Sequence, residues 1–77
     1  MTTATAHIIR LAGGHEIQMS YGVPVAALII GTGLVKDARR YSVTTSRHAN
    51  RFIAGREHEV VEHDAFMRLV APVVGTT

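Results

Sequence analysis

Residues 25–30, Val-Ala-Ala-Leu-Ile-Ile, limit what this chain can become more than any other stretch. They are apolar at every position. A strand there offers water no face, so it belongs at the centre of a sheet covered on both sides. The run is far shorter than the roughly 20 apolar residues that span a bilayer.

The flanking segments supply the rest of a sheet. Ile8, Ile9 and Leu11 give residues 6–12 a β-like run, and Gly13-Gly14 predicts a two-residue hairpin turn. Residues 15–21 return with Ile17, Met19 and Tyr21 on one face and Glu16, Gln18 and Ser20 on a wet one. Gly31-Thr32-Gly33 turns the chain into a short strand at 34–36, and Asp37-Ala38-Arg39 connects it to another at 40–44. There Tyr41 and Val43 alternate with Ser42 and Thr44, and Thr45 or Ser46 can cap a helix over 46–54. Ala49, Phe52 and Ile53 form its inner face, Arg47 and Arg51 share another, and Gly55 suits a left-handed helix end.

Val60-Val61 favours a short strand at 58–62. Asp64 can then cap a last helix over 65–71, with Phe66, Leu69 and Val70 inward and Pro72 at its end. The expectation is an α+β fold, a small antiparallel meander of four to five strands with two short helices. It forms a single domain over residues 1–77, with flexible ends at 1–5 and 73–77.

A chain of 77 residues buries a modest core, and it has no cysteine. That excludes a disulfide scaffold, a thiolate zinc site and a cysteine nucleophile, and agrees with an intracellular location. The first residues lack the basic start and apolar core of a signal peptide, so a soluble protein away from the membrane is expected.

Charge is unevenly placed. Lys36, Arg39, Arg40, Arg47, Arg51 and Arg56 crowd the middle with His48, opposed there only by Asp37, and Glu57, Glu59, Glu62 and Asp64 follow at once. The two blocks either neutralise each other across the fold or form a basic patch and an acidic patch that steer partners.

Site chemistry is sparse. The hydroxyls of Ser42, Thr44, Thr45 and Ser46 with Arg47 and His48 at a helix start are the parts of an anion site, or merely a capped helix. His58 and His63 lie five apart among carboxylates, without His-Glu-x-x-His spacing, so no metal and no cofactor is expected. Ser46 and His48 are neighbours on a helix start and cannot face each other as nucleophile and base, and no catalytic residue is assigned. The protein is expected not to be an enzyme.

The segments Ser20-Tyr21-Gly22-Val23-Pro24-Val25-Ala26 and Tyr41-Ser42-Val43-Thr44-Thr45-Ser46-Arg47-His48, with Phe52-Ile53 behind, carry a resemblance. The chain resembles a family of short uncharacterised proteins of phages, plasmids and haloarchaea over roughly residues 18–70. It departs from that pattern at Val23, usually Thr, and at Arg51, commonly Lys. The resemblance implies a small fold of mobile-element origin and transfers no site residue.

The resulting expectation is a small phage-encoded binding protein of the host cytoplasm. It would inhibit a host macromolecule by protein-protein contact, as an anti-defence or anti-CRISPR protein does. Homo-oligomers through the edge strand at 6–12 are a variant. The alternative is a nucleic-acid-binding accessory protein using the basic segment 36–56.

Overall fold

The computed structural model describes residues 6–74. Its elements run β1 (Ala6–Arg10), a 3-10 turn (Ala12–Gly14), β2 (Glu16–Ser20), β3 (Val23–Ile29), β4 (Gly33–Asp37), α1 (Val43–Ile53), β5 (Glu59–Val61) and α2 (His63–Val74). The strands form one sheet in the order β1-β2-β3-β4-β5. The apolar segment is therefore the central strand. The fold is α+β as expected, but the sheet is mixed, because β5 pairs parallel to β4 while the other neighbours are antiparallel. Parallel neighbours need a long crossover, and α1 supplies it.

Both faces of β3 are covered. Ile17, Ala27, Ile29 and Val35 pack with Phe66 and Val70 of α2. Val25, Ala26 and Leu34 pack with Ala49, Phe52 and Ile53 of α1. Gln18 pairs with Ala26 and Met19 with Pro24, so Val25 is an extra residue at a bulge. That is why consecutive Val25 and Ala26 join the same core, and why Pro24, with no N–H to donate, is tolerated inside β3. Burying side chains such as Phe66, fully enclosed here, contributes roughly 1.5–3 kcal/mol each.

Further expectations change. The face of β2 that carries Gln18 and Ser20 is not wet: both are buried, since α1 packs across β2 and β3. The two-residue hairpin turn is Tyr21-Gly22, where Ser20 pairs with Val23 and both turn residues have positive φ, whereas β1 and β2 are joined through residues 11–15. Residues 40–42 form no strand. Ser42, rather than Thr45 or Ser46, caps α1 by accepting from the Thr45 N–H at 3.3 Å, and the capped turn overrides the β preference of Val43, Thr44 and Thr45. Lastly, α2 begins at His63 and continues through Pro72 to Val74. Of the ends expected to be flexible, 1–5 and 73–77, residues 73 and 74 belong to α2 and the others lie outside the described residues.

Candidate functional site

Asp37, the last residue of β4, organises the basic segment. Its side chain is 0% exposed. One carboxylate oxygen accepts from the Arg39 N–H at 2.9 Å, an Asx-type turn that reverses the chain. The other accepts from the Tyr41 phenol at 2.6 Å and is 2.7 Å from His63 Nδ1 at the start of α2. Burial by itself would push the Asp37 carboxyl up, but the phenol, the backbone N–H and the imidazole outweigh it and hold it below its ordinary value. Burial and the neighbouring carboxylate push the Tyr41 phenol well above its own.

The loop pinned in this way carries Arg39 and Arg40, both exposed. Between it and α1 lies a cleft of about 150 Å³ lined by Lys36, Arg39, Arg40, Tyr41 and Ser46 among others. The Arg39 guanidinium stands 5.8 Å from the Tyr41 ring centroid, and Lys36 Nζ donates to Asn50 Oδ1 at 2.9 Å. On α1, Arg47 and Arg51 lie four residues apart and exposed, so they share the outer face of the helix. Lys36 near the end of β4, Arg39 and Arg40 on the loop, and Arg47 and Arg51 on α1 thus follow one another along a strand-loop-helix unit.

The chain's other arginines already have internal partners. Arg10 pairs with Glu16 at 3.6 Å, and Arg68 Nε donates to the Asp64 carbonyl. Arg56, assigned to the basic patch from sequence, donates through Nε and Nη2 to the Ile53 and Phe52 carbonyls and so caps the C-terminal end of α1. Arg39, Arg40, Arg47 and Arg51 have no carboxylate partner among the described residues.

The acidic residues do not compensate for them. Glu57, Glu59, Glu62 and Asp64 are all exposed, and no ion pair joins them to the basic block among the described residues. Glu57 and Glu59 line a depression with Thr32 and Leu34, whereas Glu62 follows the far end of β5 and Asp64 lies in the first turn of α2. The acidic patch is therefore divided along β5.

The hydroxyls at the α1 start are largely engaged. Ser42 Oγ and Ser20 Oγ each lie 3.2 Å from Thr45 Oγ1, and Ser20 Oγ is 2.7 Å from His48 Nδ1. A hydroxyl beside an imidazole has the spacing of a nucleophile and its base. Ser20, however, is 1% exposed, out of reach of a substrate, and among the described residues no carboxylate bonds His48. The contact fixes the ring of His48 against the sheet. Among the described residues no three His, Asp or Glu side chains are grouped to hold a metal; His63 lies against Asp37, and His58 Nδ1 is 2.9 Å from the Arg56 carbonyl.

Sequence reasoning missed Asp37, His63 and Ser20. Asp37 had a usable signal, since Asp-Ala-Arg is a turn that such a side chain closes on itself. The contacts Asp37–His63 and Ser20–His48 span 26 and 28 residues, and no local pattern announces them.

A family model described as a family of unknown function (DUF8033) matches residues 1–68. No curated protein and no solved structure matches the chain.

Proposed function

The chain belongs to this DUF8033 family, whose activity is unknown, and from its own surface we propose that it acts by binding, with the basic loop and helix as its contact for a nucleic acid. One observation carries this proposal. Arg10, Arg56 and Arg68 have partners within the fold, whereas Arg39 and Arg40 on the loop and Arg47 and Arg51 on α1 are exposed and have no carboxylate partner among the described residues. Guanidinium groups suit phosphate geometry, and a row of them gives sequence-independent, salt-sensitive affinity. Lys36 and His48 flank the row, and catalysis is not part of the proposal.

A second proposal keeps the inhibitor expected from the sequence. It draws on the sheet edges, where β1 exposes Ile8 (41%) and β5 exposes Val60 (55%). An edge strand can pair with a host protein or with a second copy of the chain, and Glu57, Glu59 and Glu62 around β5 would select a basic partner. A phage origin, an anti-defence role and action in the host cytoplasm belong to this second proposal.

Fluorescence anisotropy of labelled oligonucleotides at two salt concentrations, with polyglutamate as competitor, separates the two. Oligonucleotide binding that weakens with salt and resists polyglutamate supports the nucleic-acid contact. Absence of binding at low salt would overturn it. Recovery of one host protein from a nuclease-treated lysate would then favour the inhibitor. No helix among the described residues is long and apolar enough to cross a membrane.

A further inference from the structure

Tyr21 is held in a backbone conformation that bulky residues avoid, and its side chain is left outside the core. It occupies the first position of the two-residue β2–β3 turn with φ +52, followed by Gly22 at φ +79. Positive φ at both positions is the turn type that prefers Asn-Gly. A tyrosine there carries a steric penalty that asparagine or glycine largely avoids. The penalty is not offset by burial, because Tyr21 is 59% exposed.

What the placement does is set the phenol ring beside His48. The ring centroids are 6.2 Å apart with planes tilted by 39°. His48 is itself fixed, since its Nδ1 is bonded to the buried Ser20 hydroxyl, which also contacts Thr45. Two rings are thus presented together at the flank of α1. By helix geometry Thr44 and Arg51 lie one turn to either side of His48, and Arg47 is next to it. All three are exposed.

An exposed ring beside exposed arginines with no carboxylate partner among the described residues is the arrangement that receives a base and the phosphates next to it. The geometry points to Tyr21, supported by His48, as a stacking platform for one unpaired base, and to single-stranded nucleic acid as the partner. This rests on the nucleic-acid contact proposed above. A duplex keeps its bases stacked inside and offers such a platform only phosphates, whereas a single strand can splay a base onto Tyr21 while Arg47 and Arg51 hold its backbone.

The test compares the full chain with Tyr21→Phe and Tyr21→Asn, each titrated with a short thymidine oligonucleotide and with the same backbone made abasic. Tyr21→Asn suits the turn, so loss of binding cannot be ascribed to unfolding. The expected result is that the parent chain and Tyr21→Phe prefer the base-bearing strand by about five- to 150-fold, the range of one stacked base, and that Tyr21→Asn abolishes this preference while still binding the abasic strand. Equal affinity of the parent chain for both strands would overturn the stacking platform and leave the phosphate contact standing. Failure to bind either strand would overturn both.

Discussion

His63 Nδ1, at the first residue of α2, lies 2.7 Å from Asp37 Oδ2, at the last residue of β4. With the Tyr41 phenol on the same oxygen, this one carboxylate joins the end of a strand, the basic loop and the second helix. The positions of Arg39 and Arg40 depend on it.

Asp37→Asn should therefore destabilise the fold by roughly 3 kcal/mol, because an amide turns one acceptor oxygen into a donor facing buried donors. His63→Ala, removing a partner that is 33% exposed on its side chain, should cost about 1 kcal/mol. Urea denaturation followed by circular dichroism measures both. Equal losses would show that the imidazole, not the carboxylate, organises the loop.

Stability should fall at both ends of the pH scale. The Asp37 carboxyl is depressed below 3.8 in the fold, so its contribution is present above that pH and is lost as pH falls through the folded value. The Tyr41 phenol is raised above 10.0, so its contribution is present below that pH and is lost as pH rises through the folded value. Thermal melts across pH, repeated on Tyr41→Phe, check this. The variant should lose most of the alkaline decline, and its acid decline should shrink as well, because the phenol is one of the groups that hold the Asp37 carboxyl down.

Two substitutions should stabilise. Ala54 ends α1 in a left-handed conformation at φ +51, and Tyr21 opens its turn at φ +52. Ala54→Gly and Tyr21→Asn should each add about 1 kcal/mol by removing the Cβ conflict or suiting the turn. In a domain of this size that raises the melting temperature by about 4–8 °C, read by calorimetry.

Arg47→Ala with Arg51→Ala should leave stability within about 0.5 kcal/mol, since both side chains are exposed and neither has a carboxylate partner among the described residues. If both arginines neutralise phosphates of a single strand, the slope of log affinity against log salt should shrink by about 0.7 for each phosphate no longer neutralised. Arg56→Ala should do the reverse, lowering stability by uncapping the carbonyls at the end of α1 while leaving the slope nearly unchanged. A salt slope that follows Arg56 and ignores Arg47 and Arg51 would move the binding surface off α1.

Local chemistry and periodicity determined most of the elements. Residues 25–30 are apolar on both alternating faces, and that alone placed β3 at the centre. Ala49, Phe52 and Ile53 at helical spacing marked the buried side of α1, and Phe66 and Val70 that of α2. The clustering of arginines was visible in the same way, since it is a property of neighbours along the chain. Tertiary structure decided what depends on residues far apart. Gln18 and Ser20 have the pattern of a wet face until α1 covers them, and a β-rich segment at 41–45 becomes loop and helix once Asp37 anchors Tyr41 and Ser42 caps the next turn. Which arginines are left without a carboxylate or carbonyl partner among the described residues was decided there too. Arg56 and Arg47 look alike in sequence, and only the packed end of α1 gives one of them carbonyls to bind while leaving the other to solvent.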